Sequence, residues 1–171
     1  MRVGLFGTYT GLAGAVGEAG VTVVVHDGSV EDAKDPGFGE RLYELFADLD
    51  QPRLFLLDLP VGSAIDRVVD AVYVMMEPGD VVIDPSPSYW CDSLRRYRRM
   101  RHRSLFYVDV ALLGLSPPYD ILVSGDDKGV ALARPLQPPC RSCCSIFSIF
   151  YWSGNIFVCN QSTKLHLESS Y

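Results

Sequence analysis

Four glycines, Gly4, Gly7, Gly11 and Gly14, crowd the point where the first apolar run gives way to small residues. A turn without side chains lets the backbone approach a diphosphate closely, and a helix starting there points free N–H groups at the anion. About twenty residues beyond Gly7, Asp27 closes a second apolar run, where a carboxylate can accept hydrogen bonds from adenosine ribose hydroxyls. Together these residues point to a dinucleotide, with Gly7, Thr8, Tyr9, Thr10, Gly11 and Asp27 as candidate contacts. The spacing departs from G-x-G-x-x-G, because Tyr9 stands where the second glycine is expected. Gly11, Gly14, Gly17 and Gly20 recur every third residue, which lowers helix propensity. The same glycines would also serve close helix–sheet packing. The position of Asp27 favours the dinucleotide.

Two other clusters could do chemistry. Arg95, Arg96, Arg98, Arg99, Arg101 and Arg103, with His102, form a basic run. Tyr97 alone is interleaved, so a solvated helix face is expected rather than a nucleic-acid surface. Cys140, Cys143, Cys159 and His166 could supply four sulfur and nitrogen ligands to zinc. The last spacing is loose and Cys144 is surplus, so no metal is expected.

Elements must position these groups. The sequence predicts strands at 2–6, 21–26, 54–57, 81–83, 105–110 and 121–124. Between them lie a small-residue segment at 11–19 and helices at 40–49, 64–76, 92–100 and 128–136. Leu42, Leu45, Phe46 and Leu49 share one helical face, as do Ile65, Val68, Val69, Val72 and Met76. Apolar strands alternating with helices over short connections predict an α/β fold of the doubly wound, Rossmann-like kind. Its mainly parallel sheet carries helices on both faces. A ligand crevice would open beyond the carboxyl ends of the strands.

The strand–helix rhythm stops near Leu136. From Pro138 to Tyr171 there is no aspartate and one glutamate, Glu168, among many cysteines, serines and aromatics. Two regions are therefore expected: a nucleotide-binding domain at 1–136 and a divergent tail at 137–171. An altered reading frame is one origin considered for that tail.

The chain has 171 residues, 48% of them hydrophobic, and a net charge of −6. That acidity argues against general nucleic-acid or anionic-membrane binding. The apolar stretch near 145–158 is shorter than the ~20 residues that span a bilayer. With no signal peptide evident and five cysteines, a cytoplasmic protein without disulfides is expected.

Several stretches carry a family resemblance. Pro52-Arg53-Leu54-Phe55-Leu56-Leu57-Asp58-Leu59-Pro60-Val61-Gly62 resembles a strand and the P-x-G turn after it in the 6-phosphogluconate dehydrogenases. Glu77–Asp84, Ser88–Arg96, Phe106–Val110 and Leu122–Asp127 continue the likeness, which runs over about four-fifths of the chain. The resemblance implies a Rossmann-like cofactor domain of an enzyme of the pentose phosphate pathway. That family oxidatively decarboxylates 6-phosphogluconate to ribulose 5-phosphate, and the resemblance adds Leu59, Pro60 and Val61 as cofactor contacts. Asp27 followed by Gly28, without an arginine for a 2′-phosphate, implies NAD in preference to NADP.

The departures fall on the chemistry. Pro85-Ser86-Pro87 stands where the family has Gly-Gly-Asn, and Pro87 has neither a side-chain amide nor a backbone N–H. Leu113-Gly114-Leu115 replaces a Ser-Gly-Gly turn. Lys164 and His166 are the remaining candidates for catalytic groups, at the wrong separation and without the family's asparagine. The family's helical domain has no room. A chain catalytically incomplete alone is expected, with a partner chain or homo-oligomer possible. The alternative is a non-catalytic interaction or regulatory protein that retains the fold.

Overall fold

Apolar runs of four or five residues, with no polar alternation, must be covered on both faces. The structure, a computed structural model, describes residues 2–7, 22–26, 38–113 and 120–136. Six strands form one sheet: β1 (Arg2–Gly7), β2 (Thr22–His26), β3 (Leu54–Asp58), β4 (Val81–Asp84), β5 (Phe106–Leu113) and β6 (Asp120–Ser124). Their spatial order is β2-β1-β3-β4-β5-β6. The first five are mutually parallel, and Arg2 to Phe6 lie in register with Thr22 to His26. This is the anticipated α/β Rossmann-like architecture.

The last strand pairs antiparallel, with Asp109 opposite Ser124 and Leu113 opposite Asp120. Only residues 114–119 separate β5 from β6. That is too few for a parallel crossover, which takes about a dozen or more. The pairing also carries β5 on to Leu113, three residues past its expected end.

Burial follows strand alternation. Phe55 and Leu57 enter one core layer with Phe6, Val82 and Tyr107, under helices α1 (Phe38–Ala47), α2 (Ser63–Met75) and α3 (Trp90–Arg101). Leu54 and Leu56 enter the other with Val3, Leu5, Val81, Ile83 and Val108. Helix α4 (Asp127–Ala133) adds Val130 and Ala133 to that second layer. Pro135 lacks the N–H that would prolong α4, and the chain closes in a 3-10 turn, Arg134–Leu136.

At the amino edge of the sheet, the buried Asp80 carboxylate accepts from the N–H groups of Arg53 (2.8 Å) and Glu77 (2.9 Å). Its own carbonyl accepts from Phe106 N–H at 2.9 Å. One turn residue thereby ties the starts of β3, β4 and β5.

At the opposite edge, the chain leaves β1 and returns through β3 on the other side of it, which makes a topological switch point. Gly7, at φ 126°, pairs with Asp58 there. A Cβ at Gly7 would lie 1.9 Å from the Asp58 carbonyl oxygen, whereas one at Gly62, φ 122°, would meet nothing within 4 Å. Gly7→Ala should therefore cost on the order of 3 kcal/mol or more in urea unfolding, against about 1 kcal/mol for Gly62→Ala, where backbone conformation alone is penalised. Equal losses would refute strand contact as the reason for glycine at position 7.

Candidate functional site

The carboxyl edge brings together part of the expected site. Gly7 ends β1, and Leu59, Pro60 and Val61 follow β3 immediately beside it. Leu59 is half-buried against the core, Pro60 is exposed, and Val61 is 54% exposed. Gly62 then leads into α2, whose 13 residues carry no side-chain cap at the amino end. Among the described residues the chain is exposed from Pro60 to the N-terminus of α2. Thr8, Tyr9, Thr10, Gly11 and Asp27 lie outside the described residues, as do Lys164, His166 and the four zinc candidates. Among the described residues no cluster of His, Cys, Asp or Glu could hold a metal, and no helix is long and apolar enough to cross a membrane.

Farther along the same edge lies a polar cluster that sequence reasoning did not single out. Asp84 ends β4 with no solvent exposure. Its carboxylate accepts from Tyr107 Oη, from Arg96 Nη1 at 3.4 Å and from the Ser86 backbone N–H at 2.9 Å. Arg96, 3% exposed on α3, also donates through Nε to Asp66 of α2 (2.8 Å) and through Nη1 to Ser88 Oγ (2.9 Å). Ser86 and Ser88 share a hydrogen bond of 2.8 Å between their hydroxyls. The 85–89 connection is thereby fastened to the sheet by its own amide and hydroxyl groups.

The electrostatics follow from burial and pairing. Burial opposes the Arg96 charge, but the hydrogen bond to Asp66 and the contact with Tyr107 outweigh it and hold the guanidinium above its usual value. Burial, then the neighbouring Asp84 carboxylate, pushes Tyr107 up, so it stays a phenol and donates. Burial raises Asp66, yet the bonds from Arg96 and Arg95 leave it below the usual carboxylate range. Asp109 sits in register with Asp84 on the next strand. Burial first, and then the Asp84 charge, raise it to about 6, while Ser93 and Arg96 pull the other way. The Ser93 hydroxyl is buried without a partner in full hydrogen-bonding geometry, so its pull is that of a nearby dipole.

The arginine run is therefore more than the solvated face expected. Arg96 is buried; Arg95 pairs with Asp66 at 2.9 Å and Arg99 with Asp70. Arg103 donates to the carbonyls of Tyr73 and Met76 (3.0 Å for the latter), satisfying the end of α2. Arg99 and Arg103 both lie over the Tyr73 ring, at 4.7 and 4.8 Å. Arg98 and Arg101 are exposed, although Arg101 also acts on the Tyr97 hydroxyl. Tyr89 and Trp90 are 71% and 52% exposed where α3 begins. The sequence held one signal of the cluster: Asp84 and Asp109 close or interrupt strands otherwise apolar, and a carboxylate in such a place needs a partner.

Known proteins share parts of this chain. No family model matches it. The decarboxylating 6-phosphogluconate dehydrogenase of Chlamydia pneumoniae is 32% identical over 75 residues, 44% of this chain and 16% of that protein. That of Treponema pallidum is 32% identical over 95 residues, 56% of this chain and 17% of that protein. The chain thus spans a small part of the curated relatives it matches. Among solved structures, Plasmodium falciparum 6-phosphogluconate dehydrogenase superposes with a TM-score of 0.65 at 19% identity, covering 80% of this chain and 33% of that one. The chain is a distant homologue of the 6-phosphogluconate dehydrogenases and related NAD(P)-binding oxidoreductases.

One expectation is corrected. NAD was inferred over NADP from Asp27 and Gly28, but the Plasmodium enzyme is described in complex with its cofactor NADP+. The inference rested on one strand end outside the described residues, without the surrounding groups that would meet a 2′-phosphate.

Two measurements test the cluster. Arg96→Met would leave Asp84 buried without its cation and should cost about 3–5 kcal/mol by chemical denaturation. A loss below 1 kcal/mol, as for an exposed pair, would refute the arrangement. For Asp109 the folded value lies above the unfolded one, so the folded chain keeps a proton that the unfolded chain releases. Its contribution is therefore full below about pH 4 and falls as pH rises to about pH 6, by about 3 kcal/mol. Asp109→Asn should remove that slope from a series of unfolding curves.

Proposed function

We propose that this chain is the NADP(H)-binding part of a 6-phosphogluconate dehydrogenase-like oxidoreductase and does not turn over substrate by itself. The observation that carries the reading is the glycine contact at the switch point. Gly7 brings β1 against β3 with no side chain between them, and the exposed residues 60–62 continue the same edge. An elongated diphosphate ligand suits that geometry. Its charge would face backbone amides, and its rings would lie toward neighbouring strands. The sequence likeness to the dehydrogenases, 28–32% over 75 to 101 residues in six relatives, gives the class of ligand.

On this reading, residues 1–136 are the nucleotide-binding domain and 137–171 a separate tail. NADP(H) supplies hydride chemistry when bound; the chain's own residues bind and orient it. Substrate groups would come from a second chain, another copy or a different protein.

A non-catalytic role draws support from the 85–89 connection. Ser86 and Ser88 spend their hydroxyls on each other and on Arg96, and the Ser86 amide is spent on Asp84. Where the dehydrogenase family offers an asparagine amide, Pro87 offers nothing.

Titrating the full chain with NADPH by fluorescence should give a saturable signal below about 1 mM. Val61→Asp, placing a charge on an exposed position of this edge, should weaken binding about tenfold, close to 1.4 kcal/mol. Absence of saturation at millimolar NADPH would overturn the nucleotide reading. Reduction of NADP+ by the pure chain with 6-phosphogluconate would overturn the claim that it is catalytically incomplete.

A further inference from the structure

One buried cation, Arg96, pairs with Asp66 and Asp84 and acts on Asp109 through its charge. Asp84 and Asp109 occupy paired positions on β4 and β5, so their side chains leave the sheet on the same face, beneath α3. Arg96 reaches from α3 to Asp84, to Asp66 on α2 and to Ser88 in the 85–89 connection. Asp66 has a second partner in Arg95. Tyr107 of β5 donates to Asp84, and Ser93 of α3 faces Asp109 with its hydroxyl otherwise unused. Farther along α3, Tyr97 donates to Asp126 at 3.1 Å, which closes the cluster on the β6 side.

Of the groups Arg96 holds, Ser88 is the neutral one and the weakest acceptor. A negative charge on Asp109 would compete for the guanidinium at the expense of that bond. It would also turn the Ser93 hydroxyl toward itself. Losing Arg96 removes the tie between Ser88 and α3, while the Ser86 N–H stays on Asp84. The end so released, Ser88, leads directly into Tyr89 and Trp90, the exposed start of α3 on the carboxyl edge.

We propose that the Asp84–Asp109 pair makes the 85–89 connection a proton-controlled latch, fastened through Arg96 and Ser88 when Asp109 is protonated and released when it ionises. The latch is a property of the cluster and does not depend on any nucleotide. Asp109 titrates at about 6, so the connection is fastened in mild acid and loosened at neutral pH. Ionised Asp109 is held back by Asp84, and that repulsion is relieved by moving positive charge toward the pair.

Trp90 reports on the latch, since the chain has two tryptophans and the other, Trp152, lies in the tail. In a Trp152→Phe background, Trp90 emission should change sigmoidally with a midpoint near pH 6, with far-ultraviolet circular dichroism constant across the transition. Asp109→Asn should fix the acid signal at every pH. Ser88→Ala, which removes the neutral acceptor, should fix the neutral-pH signal. A transition that survives in Asp109→Asn, or circular dichroism that moves with it, overturns the latch. Should Asp109→Asn fail to fold, hydrogen exchange in the Trp152→Phe chain decides the matter. After correction for intrinsic rates, the amides of 88–93 should exchange about tenfold faster above the midpoint than below it. Equal protection on both sides overturns the proposal.

Discussion

A carboxylate shut away from water must be neutralised where it lies, and Asp84 sets that requirement for the carboxyl edge of this sheet. Leaving Asp84 unpaired would cost several kcal/mol, a large share of the stability of a domain of this size. One guanidinium and one phenol meet the requirement, and each ties in a further element. Tyr107 locks β5 to β4, while Arg96 draws α3 onto the sheet and reaches α2 through Asp66. Removing the charge would leave α3 held by Met100 in the core and by its pairs to Asp66 and Asp70, without its tie to the sheet edge.

The two edges of the sheet use buried aspartates differently. Asp80 accepts from backbone N–H groups and closes a turn, with Arg53 beside it at 3.3 Å. Its two backbone partners are fixed by the chain itself, and Glu77 shares only the Arg53 guanidinium, at 3.2 Å. At the other edge Arg96 is shared among acceptors of unequal strength, and Asp109 stands close enough to enter the competition. A fixed set of partners makes a joint. A shared partner makes an arrangement that can respond to a proton.

The open part of the carboxyl edge is of another kind. Beyond Gly7, residues 60–62 carry no charged side chain and lead to an uncapped helix N-terminus, which suits an extended anion. Around 85–89 the equivalent groups are already occupied. The same sheet thus supports a nucleotide-binding reading at its switch point while its β4 end has turned inward. That division explains how a distant relative of the dehydrogenases can keep the fold with other residues at the catalytic motifs.

Much of the fold was legible in residue order. Leu54 to Leu57 without polar alternation demands a strand covered on both faces, and Ile65, Val68, Val69 and Val72 at helical spacing demand a buried helical stripe. These patterns report local geometry, and local geometry is what one-dimensional periodicity encodes. The antiparallel last strand was not read from the sequence, because the expected end of β5 at 110 hid how short the connection is. The importance of Arg96 was not legible, since nothing in a run of six arginines distinguishes the one that turns inward from Arg98 or Arg101. Helix phase and the meeting of residues 12 to 30 positions apart decided that, bringing Asp66, Asp84 and Arg96 to one place. Asp84 and Asp109 likewise became neighbours only through strand register. The sequence determined which segments are apolar and how they repeat; the tertiary structure decided which charges share a buried space, because Coulomb interactions depend on distance in space rather than on separation along the chain.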